Sequence, residues 1–306
     1  MIIISAKVHP WLTDFFESKG YKVAYLPAIS YQELDELIPA AEGLIVTTRL
    51  KIDRPLLEKA EKLKWIGRLG SGMELIDVDF AASRNILCVS SPEGNRNAVA
   101  EHCLGMLLGL TKRICRSSEE VKRDGWNRDA NRGIELKGKT AGIIGYGNTG
   151  GTFAKLLSCM GMTVLAYDKY QFGFGGETVH EASLQQICRY ADVVSFHVPL
   201  TTETWHMGNG DFFNSLENSP IIINSSRGGV VNLAALSHAL QQGKVSGAGL
   251  DVLENENLST FSAEEKEVFN VLRNDPNVII TPHIAGYSHE SFLEMAKVIV
   301  MKLGLT

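Results

Sequence analysis

The chain has 306 residues, of which 44% are hydrophobic and 21% charged, and its net charge at pH 7 is -5. That length exceeds what one hydrophobic core usually organises, so two domains are expected, and the composition excludes a disordered, collagen-like or low-complexity chain. The acidic balance argues against a nucleic-acid partner, and no run approaches the roughly 20 apolar residues that a membrane helix needs.

The opening MIIISAKVHP lacks a basic n-region and a small-residue cleavage site, so it reads as a first strand and the expected compartment is the cytoplasm. Short β-branched apolar runs follow in two sets. The first comprises Ile2–Ser5, Tyr21–Leu26, Gly43–Thr47, Lys64–Arg68 and Ile86–Ser90; the second comprises Thr140–Gly145, Thr163–Asp168, Asp192–Val198, Pro220–Ser225, Gly247–Leu253 and Val278–Pro282. Strands without polar alternation are buried on both faces, as in parallel sheets covered by helices. Helical segments such as Arg54–Lys64 and Leu233–Gln242 complete β-α-β units. The expected fold class is α/β, with two doubly wound parallel-sheet, Rossmann-like domains. The seam is placed near Ser91–Asn97, where Ser-Pro-Glu-Gly-Asn interrupts the pattern, and a helix is expected over Ala98–Val121. Gly125–Gly138 reads as a polar loop and Ala263–Glu267 as a solvated helix start.

Gly145-Tyr146-Gly147-Asn148-Thr149-Gly150 follows the strand TAGIIG and opens the helix TFAKLLSCMG. Glycines there let the backbone turn and approach a pyrophosphate, and the helix start offers unpaired N–H groups. Asp168 closes the next strand, where a carboxylate accepts from ribose hydroxyls and repels a 2′-phosphate. NAD is the expected cofactor, although Lys169 next to Asp168 leaves NADP open. Polar residues also recur at the carboxyl ends of successive strands: Asp168, His197, Arg227, Asp251 and His283. In an open parallel sheet that edge is where ligands bind. The five cysteines (Cys88, Cys103, Cys115, Cys159, Cys188) show no C-x-x-C, which favours reduced, mostly buried thiols. No His/Cys/Asp cluster shows ligand spacing, so no metal is expected.

Taken together, RLGSGMELIDVD, GNRNAVAEH, GIIGYGNTGGTFAKLL, DVVSFHVPLTTET, INSSRGGVVN, GAGLDVLENENL and TPHIAG resemble the NAD-dependent D-isomer-specific 2-hydroxyacid dehydrogenases. That family includes D-3-phosphoglycerate, glycerate, D-lactate, formate and erythronate-4-phosphate dehydrogenases. The resemblance implies a catalytic trio of Arg227, Glu256 and His283. Reducing a 2-oxo acid takes a hydride at C2 and a proton on the carbonyl oxygen. A histidine oriented by a carboxylate suits the second task, and a planar arginine suits the substrate carboxylate and carbonyl. It also implies cofactor contacts at Gly145, Gly147, Asn148, Thr149, Gly150, Asp168, His197, Val198, Pro199, Ser225, Ser226, Asp251 and Gly286. Substrate contacts are implied at Ser71, Gly72, Met73 and Asn95, with Arg49 and Lys51 where phosphate-handling members carry basic residues.

The same resemblance implies a discontinuous substrate domain, residues 1–97 completed by 282–306, around an NAD domain over 98–281, and a homodimer built on the helix after Asn97. The chain departs from the family pattern at Asn257, where many members have proline, and over Leu258–Asp275, which looks longer and more helical than usual. With the sequence ending at Thr306, an appended regulatory domain is not expected. The expected function is hydride transfer between NAD(H) and a D-2-hydroxy acid, with phosphoglycerate or glycerate favoured. The alternative is an NADH-binding, corepressor-like interaction protein with weak dehydrogenase activity.

Overall fold

The computed structural model describes residues 1–305, which divide into two compact units: Met1–Arg96 with the residues from Gly286 onward, and Asn97–Ala285. In the first unit, strands β1 (Ile2–Ile4), β2 (Val23–Tyr25), β3 (Gly43–Val46), β4 (Trp65–Arg68) and β5 (Leu87–Ser90) form one parallel sheet in the order β2-β1-β3-β4-β5. The isoleucine-rich strands bury both faces. Ile3, Leu44, Val46 and Ile66 meet Leu34, Leu56 and Leu57 on one side. Ile2, Ile4 and Ile45 meet Leu12, Phe16, Ala296, Ile299 and Val300 on the other. The last three belong to the helix His289–Lys302, whose start is fixed by a capping box between Ser288 and Ser291. Gly67 admits that helix, since a Cβ there would lie 2.7 Å from Ile299 Cγ2.

The second unit contains β6 (Thr140–Ile144), β7 (Thr163–Tyr167), β8 (Val179–Glu181), β9 (Val193–Phe196), β10 (Ile221–Asn224), β11 (Gly247–Leu250) and β12 (Val278–Ile280). All run parallel, in the order β12-β11-β10-β9-β6-β7-β8. The order reverses between β9 and β6, which opens a crevice at their carboxyl ends. One face packs Cys103, Leu107, Ile143, Phe153 and Leu157, and the other packs Ile187, Val194, Phe196, Phe213, Ile222 and Leu236.

Several local expectations change. The Ser-Pro-Glu-Gly-Asn segment is no interruption: the helix Pro92–Thr111 starts inside it, because proline is favoured in a first helical turn, where it has no N–H to lose. That helix does not run on to Val121. Arg113 adopts φ 54°, and a separate helix, Ile114–Val121, follows. The strand β8 was not anticipated; it is three residues long and edge-placed, and two of the three are polar, so it carries little apolar signal. The chain re-enters the first unit only after Ala285, four residues beyond the expected Thr281, because side-chain bonds tie Ile284 and Ala285 to Asp251. Cys103 and Cys188 are buried, whereas Cys115 and Cys159 are exposed. Among the described residues no helix is long and apolar enough to cross a membrane.

Ile299→Ala should empty a fully buried site between the C-terminal helix and β4 and cost about 2–5 kcal/mol, the range for truncating a core isoleucine. Denaturant unfolding followed by far-UV circular dichroism would read this as a lower midpoint.

Candidate active site

The glycine-rich turn sits at the carboxyl end of β6. Gly145 has φ 96°, and a Cβ there would lie 2.5 Å from the His197 carbonyl oxygen and 3.0 Å from Val198 Cγ1. A Cβ at Gly150 would land on the Gly145 carbonyl, so the helix Asn148–Cys159 can approach the turn only with glycine there. At Gly147, by contrast, a Cβ would meet nothing within 4 Å, and no side chain caps the helix start. An open approach with uncapped N–H groups from Asn148 and Thr149 fits a dinucleotide pyrophosphate. Asp168 follows β7 directly. Its Oδ2 accepts from Tyr146 N at 2.9 Å, and its Oδ1 accepts from Tyr170 N at 2.9 Å and Gln171 N at 3.1 Å. A carboxylate has about four acceptor positions, so capacity remains for a ribose hydroxyl.

His197 ends β9 beneath this turn. Its Nε2 is 2.9 Å from Ser195 Oγ, and its ring packs against Phe153 with centroids 5.7 Å apart. Burial pushes its imidazole down to about 4, so the ring is neutral at physiological pH. Pro199 accepts from Thr204 Oγ1 at 2.6 Å, which shapes the loop after it.

The sequence trio lies at the carboxyl ends of β10, β11 and β12. Arg227 follows β10 and donates through Nη1 to the Ser226 carbonyl at 2.7 Å. Buried Asn224, which sequence reading missed, organises this turn: its Oδ1 accepts from Ser226 N and Oγ at 3.1 and 2.8 Å, and its Nδ2 donates to the Arg227 carbonyl at 3.0 Å. Ser225 Oγ lies 3.0 Å from the buried Cys103 Sγ, whose thiol burial pushes up to about 12. Gly228 packs on the Leu253–Glu254 peptide; a Cβ there would overlap the Leu253 carbonyl. The Arg227 turn and the segment carrying Glu256 are therefore in direct contact.

His283 Nδ1 lies 2.9 Å from Glu256 Oε1 and 3.0 Å from Oε2. Both side chains are about half exposed. With Nδ1–H donating to the carboxylate, Nε2 is the nitrogen left to exchange a proton. The backbone at His283 adopts φ 54°, and its N–H donates to the Asp251 carbonyl at 2.8 Å. Asp251 is 1% exposed, and its carboxylate binds this loop: Oδ1 accepts from Thr281 Oγ1 at 2.6 Å and Ile284 N at 2.9 Å, and Oδ2 from Ala285 N at 2.8 Å. His102 Nε2 adds a bond to Thr281 Oγ1 at 3.0 Å and stands 3.5 Å from Asp251 Oδ1. Thr281 and His102 were also missed, although both lie in quoted motifs, TPHIAG and VAEH.

Glu256 is held from its flanks. Glu254 pairs with His206 and accepts from Leu233 N at 3.2 Å. Asn257, in the family's proline position, accepts through Oδ1 from Ser259 N and Oγ at 3.2 and 2.6 Å. The expected helical character beyond it is present as a short 3-10 turn, Leu258–Thr260, and the helix Ala263–Asn274.

In the first unit, the turn Gly70–Met73 follows β4. Gly70 has φ 128°, and a Cβ there would collide with the Arg68 guanidinium, which is 7% exposed and donates to the Leu69 carbonyl at 2.8 Å. Ser71 Oγ lies 3.5 Å from Asn95 Oδ1, and Gly286 faces Asn95 Nδ2. Within the first unit the structure thus groups Ser71, Asn95 and Gly286. Met73 packs into the hydrophobic core. Arg49 Nη2 donates to the Ser5 carbonyl at 2.8 Å and also to the Ile29 carbonyl.

Parallel sheets, with a glycine turn at the switch point and a His–Glu pair at the carboxyl edge of the same sheet, define the class of α/β dinucleotide-binding folds. Residues 104–285 match the D-isomer specific 2-hydroxyacid dehydrogenase NAD binding domain, and the chain belongs to that family. It is 34% identical over 300 residues to D-3-phosphoglycerate dehydrogenase of Archaeoglobus fulgidus, covering 97% of this chain and 55% of that protein. It therefore spans about half the length of the phosphoglycerate dehydrogenases it matches. Against hydroxypyruvate reductase of Thermotoga maritima it is 34% identical over 280 residues, covering 89% of this chain and 88% of the relative. D-lactate dehydrogenase from Aquifex aeolicus, solved with NAD and lactic acid, superposes with a TM-score of 0.86 at 30% identity, covering 100% of this chain and 95% of that one.

A neutral, half-buried His197 carries a pH signature. The unfolded chain protonates this residue near 6.5, whereas the folded chain does so only near 4. Between those values the unfolded state binds more protons, so stability should fall as pH drops from 6.5 to 4 and change little further on this account below 4. His197→Asn should flatten that part of the profile of thermal unfolding against pH.

Proposed function

We propose that the protein interconverts a D-2-hydroxy acid and its 2-oxo acid with NAD(H). The observation that carries this reading is the His283–Glu256 pair on the same sheet edge as Arg227 and the glycine turn. The bound nicotinamide would supply or accept the hydride. In the reducing direction His283 Nε2 gives the proton to the carbonyl oxygen while Glu256 holds Nδ1–H and balances the ring's charge. Arg227 binds the substrate carboxylate and polarises the carbonyl through a fork of donors. Asp251, Thr281 and His102 position the loop that bears His283, and Asn224 positions Arg227. In the first unit we assign the turn Ser71–Met73 and Asn95 to the substrate's carboxylate end.

For the substrate we favour a small unphosphorylated acid, hydroxypyruvate or glyoxylate with their hydroxy acids as products. Arg49, one of the two basic residues offered by the resemblance for a phosphate, spends Nη2 on two backbone carbonyls, which supports a bracing role. Likeness to a hydroxypyruvate reductase over most of its length points the same way. We further assign a homodimer, supported by the exposed apolar side chains Ile114, Val121, Trp126 and Ile134 on the segment after the long helix, and a cytoplasmic site of action.

NADH oxidation at 340 nm with hydroxypyruvate, glyoxylate, pyruvate and 3-phosphohydroxypyruvate at matched concentrations should favour the first two. A preference for the phosphorylated acid would overturn the substrate assignment and return Arg49 and Lys51 to phosphate binding. His283→Ala should lower kcat by about 10²–10⁴, the usual scale for a general acid–base group, with NADH affinity retained. Full turnover in that variant would remove His283 from the chemistry.

A further inference from the structure

We infer that Glu203 is a positioning residue that sets cofactor choice: it engages Lys169, the cation next to Asp168, and so withholds it from the 2′-phosphate of NADP. This rests on the dinucleotide reading of the second unit. Lys169 Nζ lies 2.6 Å from Glu203 Oε1, and the Tyr170 hydroxyl donates to Glu203 Oε2 at 2.8 Å. One carboxylate thus takes the side chains of the two residues that directly follow Asp168. Lys169 Nζ also stands 5.6 Å from the Tyr170 ring centroid, so the three groups form a closed set. Glu203 reaches this set from the loop after β9, and that loop has a defined shape. Thr201 N donates to Thr204 Oγ1 at 2.8 Å, Thr204 Oγ1 to the Pro199 carbonyl at 2.6 Å, and Trp205 N to the Thr201 carbonyl at 2.9 Å. Hydrogen bonding between the pair holds Lys169 above and Glu203 below their ordinary ranges, so both are charged across the physiological span.

NADP differs from NAD by one phosphate on the adenosine ribose, where Asp168 is assigned. A phosphate there meets Asp168, Lys169 and Glu203, which together carry one net negative charge. Lys169 has the length and sign to offset Asp168, since lysine serves phosphates as a mobile point charge. With Glu203 present it is already neutralised. The pair is solvent-exposed and worth little to stability, so its consequence is for recognition of a charged ligand.

The test compares the wild type, Glu203→Gln, Lys169→Ala and the double variant. Dissociation constants for NADH and NADPH are read by nucleotide fluorescence, and kcat/KM for both is read with one 2-oxo acid. Glu203→Gln should raise the NADPH-to-NADH preference about 3- to 10-fold at low salt, less at high salt, as expected for an exposed charge effect. Lys169→Ala added to Glu203→Gln should abolish that gain. An unchanged ratio in Glu203→Gln, or a gain that survives removal of Lys169, would overturn the inference while leaving NADH binding intact. A wild type that binds neither nucleotide would instead overturn the dinucleotide reading on which it stands.

Discussion

The buried carboxylate of Asp251 is the constraint on which the reacting end of the second unit depends. Burying an ionised carboxylate is costly unless its lone pairs are satisfied. Here they are satisfied almost wholly by the loop after β12: a threonine hydroxyl and two backbone N–H groups. Those bonds flank His283 on both sides in the chain. They explain how a non-glycine residue keeps φ 54°, a conformation that costs of order 1 kcal/mol and persists only where its surroundings over-determine it. The direction of the histidine's backbone is therefore set by the strand ends and the Asp251 carboxylate, and Glu256 then orients its ring.

Around that point the loops between the strand ends support one another. Asn224 at the end of β10 ties Ser226 and Arg227, Gly228 lets their turn rest on the Leu253–Glu254 peptide, and Glu254 fastens the same segment to His206 and Leu233. After Glu256, Asn257 stiffens the chain by accepting from Ser259 N and Oγ.

The architecture was legible in the chain. Isoleucine- and valine-rich runs without polar alternation announced two parallel sheets, and the glycine turn followed by Asp168 pointed to a dinucleotide-binding unit. What escaped had physical reasons. β8 is an edge strand of three residues with His180 and Glu181 in it, so no apolar run marks it. Pro92 and Gly94 look like breakers but occupy a first helical turn, and Gly94 is where the backbone of the C-terminal helix comes close at Met295. Asn224, Thr281 and His102 act through bonds to residues distant in sequence, which no local pattern records. Arg49 was read for its charge, whereas its carbonyl partners belong to Ser5 and Ile29.

The route of the chain through the first unit carries a consequence for synthesis. Ile2 and Ile4 on an interior strand of that sheet share a core cluster with Ile299 and Val300. On the ribosome this sheet emerges before the second unit yet lacks one covering helix until that unit has been made. The second unit is continuous in sequence and ends at Ala285, just ahead of the helix that starts at His289. Order of synthesis and order of completion are thus reversed: the second sheet closes while the first still exposes an apolar face. During that interval the nascent N-terminal strands are the part of the molecule that a chaperone would have reason to hold.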